Sequence, residues 1–279
     1  MRRAYQVAAV RAAERALMAA LPEGTLMRRA AAGLASVCGS LLAGYPGHVY
    51  GARVVVLAGS GDNGGDALYA GALLARRGAA VTAIAAGPKI HAGGFAELRT
   101  AGGRVTEDLA AAGDLIARAD LIVDGLLGIG GRGGLREPFA GLAAAAEAAR
   151  RAGPGTVVAV DLPSGIDADT GAVDGPAVHA DVTVTFGVIK PGLLIDPGAG
   201  LAGAVELIDI GLRPYLSGEP AALALQRDDV GALLPRPGRE SDKYRRGVVG
   251  VLAGSTATPG RLCWPPAARC VAAPGWSGW

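Results

Sequence analysis

Arg53-Val-Val-Val-Leu-Ala-Gly-Ser-Gly-Asp-Asn-Gly-Gly-Asp66 decides the fold. Its first half is a β-branched run without polar alternation, the pattern of a strand buried on both faces and therefore of a parallel sheet. Its second half is a glycine-rich turn, with a helix expected over about 65–77. Working outward, the same alternation recurs. Further strands are expected at 81–85, 104–106, 121–124, 156–161, 182–186 and 204–208. Helices are expected near 91–101, 109–118 and 137–151, preceded by two Ala- and Leu-rich helices at 4–20 and 25–43. The break between those two is Pro22-Glu-Gly-Thr25, with Thr25 as the expected N-cap. Strands alternating with helices imply an α/β fold, a three-layer sandwich around a mostly parallel sheet covered on both faces.

Composition agrees. Of 279 residues, 51% are hydrophobic and the net charge is +2, which excludes intrinsic disorder and offers no case for a nucleic-acid partner. The 45 glycines follow no Gly-X-Y period, which excludes collagen. Cys38, Cys263 and Cys270 form no CxxC pair and are too few for a disulfide framework, so a reducing cytoplasm is the expected setting. Residues 30–50 lack formal charge, but they are mostly Ala, Gly and Ser and contain Pro46. They read as a buried amphipathic helix and not as a membrane span.

In such sheets ligands bind outside the carboxyl ends of the strands. Three strand ends carry polar chemistry and should meet on one rim: Gly59-Ser-Gly-Asp-Asn-Gly-Gly-Asp66, Asp124-Gly-Leu-Leu-Gly-Ile-Gly-Gly-Arg-Gly-Gly134 and Asp161-Leu-Pro-Ser-Gly-Ile-Asp167. The first two contain G-x-G-x-x-G. The strand after the first ends Ala85-Ala-Gly-Pro-Lys89, without the ribose-binding carboxylate of an ordinary dinucleotide fold, which disfavours a conventional NAD dehydrogenase. Neither loop has the Gly-Lys-Ser/Thr of a P-loop. Glycine-rich turns of this kind can still direct N–H groups at a phosphate. Asp62, Asn63 and Asp66 add groups suited to ribose hydroxyls or a cation, and helix capping by Asp62 or Asn63 is the plainer alternative. Asn63, Asp124 and Ser164 offer three oxygen ligands with a single carboxylate, a set that suits a monovalent ion such as potassium better than magnesium or calcium. Asp161 stands at a strand end followed by Pro163-Ser-Gly165, a turn that aims side chains at the rim. Lys190 could reach the same rim, and a solvated loop lysine is the equal alternative. G-x-S-x-G is absent and the three histidines are scattered, so neither a Ser-His-Asp triad nor a zinc site has support.

Four motifs then carry a resemblance: Gly61-Asp-Asn-Gly-Gly-Asp66, Val123-Asp-Gly-Leu-Leu-Gly-Ile-Gly-Gly-Arg-Gly133, Val160-Asp-Leu-Pro-Ser-Gly-Ile-Asp-Ala-Asp-Thr-Gly171 and Thr185-Phe-Gly-Val-Ile-Lys-Pro-Gly192. In this order and spacing, over about residues 1–225, the chain resembles the NAD(P)H-hydrate epimerases, the YjeF N-terminal domain proteins. Leu26-Met-Arg-Arg-Ala30 also stands where that family has Leu-Met-Glu-Arg-Ala. The resemblance implies a Rossmann-like fold and an enzyme interconverting the R and S epimers of hydrated NADH and NADPH (NADHX and NADPHX). It implies one potassium ion per subunit on Asn63, Asp124 and Ser164. The substrate would be bound by Asp62, Asn63, Gly64, Gly65 and Asp66, and by Gly128, Ile129, Gly130, Gly131, Arg132, Gly133 and Gly134. Asp161 would be the catalytic and a substrate-contacting residue, and Lys190 would also bind substrate; a homodimer is plausible from the family. Two departures stand out: Asp62 replaces the family's first Asn, and Ile129-Gly-Gly131 replaces Thr-Gly-Leu.

Residues 226–241, with Pro235-Arg-Pro-Gly-Arg-Glu-Ser241, read as a linker. Residues 242–255 resemble the opening of an ADP/ATP-dependent NAD(P)H-hydrate dehydratase domain. Only 24 residues follow Ser255; they hold Trp264, Trp276 and Trp279, all the tryptophans of the chain, and do not resemble that family. A reading-frame shift after about Gly260 or a divergent tail would each account for the switch, and dehydratase activity is expected to be absent. The rival to an epimerase is a non-catalytic nucleotide- or RNA-related binding and dimerisation module of the same fold. Such a module need not keep Asn63, Asp124, Asp161 and Ser164, and the weak net charge argues against RNA.

Overall fold

Runs of Val, Ile and Leu bury both faces of a central sheet, and the segments between them are long enough for crossover helices. The computed structural model describes residues 1–131, 133–153 and 155–234. In chain order the elements are β1 (Arg2–Ala4), α1 (Val7–Ala19), α2 (Thr25–Gly44), β2 (Arg53–Ala58), α3 (Asp62–Arg76), β3 (Ala80–Ala85), α4 (Ala92–Thr100), β4 (Arg104–Thr106), α5 (Ala112–Ala117), β5 (Leu121–Gly125), α6 (Phe139–Ala152), β6 (Thr156–Val160), β7 (Val182–Phe186), α7 (Gly198–Leu201), β8 (Ala204–Ile208), β9 (Ala222–Ala224) and α8 (Arg227–Leu233). Seven strands form one parallel sheet in the order β4-β3-β2-β5-β6-β7-β8. Alternate strand residues feed two cores. Val54, Val56, Val123 and Val158 pack under α1–α4 on one face, while Val55, Leu57, Ile122 and Val157 pack under α5 and α6 on the other. The chain winds one way from β2 to β4 and the other way from β5 to β8, so the switch point lies between the carboxyl ends of β2 and β5.

The expected α/β sandwich is present, with local differences. The chain forms β1 before α1, and β1 pairs antiparallel with β9 (Arg2↔Ala224), a two-stranded sheet too short to show alternation. Thr25 does not cap α2. Gly24, with φ 71°, occupies that position, and the Thr25 hydroxyl donates to the Pro22 carbonyl at 2.6 Å. Helix α3 starts at Asp62, three residues early, so the Asp62–Asp66 run is helical; Gly61 is its N-cap, and a carboxylate in the first turn favours a helix start. The chain divides into two units, Met1–Gln226 and Arg227–Trp279. Within the expected linker, Arg227–Leu233 is helical, again with acidic residues, Asp228 and Asp229, in the first turn. Residues 242–279 and Arg132 lie outside the described residues.

Candidate functional site at the switch point of the sheet

Asp124 sits on β5, opposite Leu57 of β2 and Ala159 of β6, and is wholly buried. After β6 the chain turns back, and Ser164 meets it. The Ser164 N–H donates to Asp124 Oδ2 at 2.8 Å, and the Ser164 hydroxyl donates to Oδ1 at 2.7 Å. The Leu126 N–H donates to Oδ1 at 3.2 Å, and Ser164 Oγ accepts from the Leu127 N–H at 2.9 Å. Burial pushes the Asp124 carboxyl up to about 6 against the pull of these hydrogen bonds. Asn63, in the first turn of α3, lies against this strand end: its Oδ1 is 3.0 Å from where a Gly128 side chain would begin, and its buried Nδ2 has no acceptor. Among the described residues no group of three His, Cys, Asp or Glu side chains is arranged to hold a metal ion. One buried carboxylate with an amide and a hydroxyl is a different donor set. A buried carboxylate with no cationic partner among the described residues, beside the Asn63 Oδ1 and the Ser164 hydroxyl, fits a weakly charged cation with oxygen ligands; the Asn63 Nδ2 is a donor and stands outside that set.

The register of β6 on β7 pairs Val160 with Val184, which sets Asp161 beside Thr185. Asp161 has φ 65°, the one left-handed non-glycine backbone among the described residues. Its Oδ1 accepts from Thr185 Oγ1 at 3.1 Å, from the Phe186 N–H at 3.3 Å and from Lys190 Nζ. Lys190, 1% exposed, also donates to Thr185 Oγ1 and to the Phe186 carbonyl, each at 3.1 Å. The solvated-loop alternative for Lys190 is therefore corrected: the side chain is buried against Asp161. Asp66 lies nearby with its Oδ1 buried and unpartnered; burial, then Asp161, Asp62 and Glu14, hold its carboxyl well above the usual range against the pull of Lys190.

Residues 128–131 leave β5 as a glycine turn closed by the Gly131 N–H donating to the Gly128 carbonyl at 3.0 Å. The half-buried Ile129 packs toward Ile189 and Leu162, and Gly134 abuts Gly175. Close approaches hold the loops together. A side chain at Gly59 would begin 1.9 Å from the Leu126 carbonyl oxygen, and one at Gly64 would begin 2.2 Å from the Gly59 carbonyl oxygen. Residues expected from the sequence thus gather at the carboxyl ends of β2, β5, β6 and β7. Sequence reasoning missed Thr185, whose signal is its alternation with buried Thr183, and two groups on α1, Arg11 and Glu14. Surface grooves of about 260 and 630 Å³ lie at the opposite, amino-terminal strand ends around Arg53 and Arg118.

A doubly wound parallel sheet with a buried carboxylate, a carboxylate–lysine pair and two glycine loops at its switch point defines a class of α/β proteins with one ligand site on the rim. The chain belongs to the family described as YjeF-related protein N-terminus, whose model matches residues 23–192. A bifunctional NAD(P)H-hydrate repair enzyme, Nnr, of Mycobacterium leprae is 50% identical over 262 residues, covering 93% of this chain and 52% of its own. The NAD(P)H-hydrate epimerase of Clavibacter michiganensis is 46% identical over 219 residues, covering 75% of this chain and 90% of its own. The fold is also that of a yeast protein, ynu0, whose crystal structure superposes with a TM-score of 0.63 at 21% identity over 79% of this chain and 96% of that one. The chain spans about half the length of the bifunctional relatives it matches. Among the described residues no helix is long and apolar enough to cross a membrane.

Proposed function

We propose that the protein interconverts the R and S epimers of hydrated NADH and NADPH, a repair reaction of nicotinamide cofactors in the cytoplasm. The observation that carries this reading is the Asp161–Lys190 pair at the rim of a switch-point site, in a chain whose relatives include proteins named NAD(P)H-hydrate epimerase. Epimerisation at the hydrated carbon requires a bond to that carbon to break and re-form on the other face. Asp161 is positioned to shuttle the proton that labilises the hydroxyl and is shed again when it returns, with Lys190 and Thr185 fixing its Oδ1. The N–H groups of the 128–134 loop and the N-terminus of α3 suit the pyrophosphate, while Asp62 and Asp66 suit ribose hydroxyls. Lys190, being engaged with Asp161, serves the reacting end and not a phosphate. Asn63, Asp124 and Ser164 would hold a potassium ion, which when bound supplies positive charge where three loops meet. The residues around it hold those loops in one geometry.

The test is direct. One purified epimer of hydrated NADH is given to the protein, and the other is sought by chromatography. Its appearance at a rate proportional to enzyme is expected. Absence of exchange, with NAD(P) still bound, would instead favour a binding module.

A further inference from the structure

The family model begins at residue 23, after α1, yet α1 and the residues just before it are tied to three of the loops of the site. The Tyr5 N–H donates to the Ile189 carbonyl, next to Lys190, at 2.9 Å. The Val7 N–H donates to Asp169 Oδ1, in the loop after Asp161, at 2.7 Å. Arg11 Nη2 reaches the Ile129 carbonyl of the glycine loop at 3.5 Å. Val10, Ala13 and Leu17 bury one stripe of the helix in the core. Val7, Arg11 and Glu14 follow at i, i+4 and i+7 on the adjacent stripe, the one that the Arg11 side-chain contact turns toward the site. Glu14 is partly buried there, and among the described residues nothing hydrogen-bonds or ion-pairs with it.

We infer that Glu14 is a second proton-transfer residue of this site, a carboxyl delivered by α1 to face the Asp161–Lys190 pair. The inference rests on the epimerase reading above. Two carboxyl groups in unlike surroundings divide acid and base work. Asp161 is ion-paired with a buried lysine, whereas Glu14 has no bonded partner and its burial favours the neutral acid. Burial first raises the Glu14 carboxyl above the usual range; of the charges facing it, Lys190 and Arg11 oppose its holding a proton and Asp161 and Asp62 reinforce it, while Glu14 in turn raises the buried Asp66 carboxyl. Glu14 protonates the departing hydroxyl, which leaves as water while the ring nitrogen's lone pair forms a C=N bond. Water then adds to the other face of that carbon, the C=N electrons return to nitrogen, and the proton shed by the water goes to Asp161. Proton exchange with solvent resets the two carboxyls, and no oxidant or reductant is needed.

The test compares the full chain with Glu14→Gln and Glu14→Asp, following exchange of one purified epimer of hydrated NADH from about pH 5 to 9. In Glu14→Gln, exchange is expected to slow about 10²- to 10⁴-fold, the range of a lost acid–base group. The unaltered protein should lose rate as pH rises through the titration of Glu14, and Glu14→Gln should not show that alkaline limb. Binding of intact NADPH should stay unchanged and the melting temperature should not fall, and Glu14→Asp should recover part of the rate. A Glu14→Gln rate equal to the unaltered protein's, or a slowed rate with the same pH profile, overturns the role. Absence of exchange in the unaltered protein overturns the epimerase reading itself.

Discussion

At Asp161 backbone and side chain are constrained together. The left-handed φ points the carboxylate back across the end of β7, where Thr185, the Phe186 N–H and Lys190 converge on one oxygen. Asp161→Asn keeps the shape but cannot carry the proton. It should abolish epimer exchange while leaving dinucleotide binding measurable by fluorescence quenching, and full activity would remove Asp161 from the mechanism. Lys190→Met leaves a nearly buried carboxylate unpaired, a loss of about 3–5 kcal/mol for a buried ion pair broken on one side. Urea unfolding would measure it, and a loss below about 1 kcal/mol would place the pair in a solvent-like setting. Asp124 makes a prediction with a sign. Burial raises its folded-state value from 3.8 to about 6, so without a cation its stabilisation is complete below 3.8 and is lost as pH rises through 6. A cation favours the ionised form and offsets that loss. Replacing tetramethylammonium chloride by potassium chloride should therefore raise the melting temperature at about pH 8 and barely at about pH 5, with the difference gone in Asp124→Asn. Equal shifts at both pH values would count against a cation at Asp124.

Between elements the site depends on glycines that let loops touch. Gly64→Ala sets a methyl group against the Gly59 carbonyl oxygen, and backbone on both sides must move. A destabilisation of about 1–3 kcal/mol is expected, with a larger fall in exchange because Asn63 moves with its helix turn. Gly61→Ala, at the N-cap with open space around it, should cost no more than about 1 kcal/mol. Thermal melts of the two variants side by side check this, and equal effects would show that the close approach is unimportant. The same loops explain what could be read in advance. A buried parallel strand is a plain Val and Ile run, and a polar cluster directly after it has one place to go, the rim; hence Asn63, Asp124, Asp161 and Ser164 were legible. The start of α3 was not, because Gly64 and Gly65 weaken helix propensity and the tertiary contacts of Gly64 and Ala67 override it. Glu14 was illegible for a different reason. On an amphipathic helix one carboxylate reads like any solvated charge until the Arg11 contact with the Ile129 carbonyl fixes which stripe faces the site.

At the scale of the molecule, the switch point explains why one rim collects all the chemistry: the strands leave β2 and β5 in opposite directions and open a crevice there. Every residue of the candidate site falls within the unit Met1–Gln226. The β1–β9 pairing, Arg2↔Ala224 to Ala4↔Ala222, closes that unit. It ties the segment before α1 to the last strand, while Ala4 bridges to Ile189 beside Lys190. The small cluster of Ala4, Leu162, Ile166, Ile189 and Leu193 packs beneath the Asp161 turn, so β9 supports the site through β1. This antiparallel pair was invisible to periodicity, since three residues per strand carry no alternation to count. It nonetheless fixes where the chain can be cut. A protein ending after Gln226 should melt cooperatively and exchange epimers at the rate of the full chain. One ending before Ala221 loses β9, frees β1, and should lose both melting temperature and exchange through the loosened N-terminal segment. Calorimetry and the chromatographic assay on the two truncations decide it. Full activity in the shorter one would show that β1 and α1 hold the rim without their antiparallel partner.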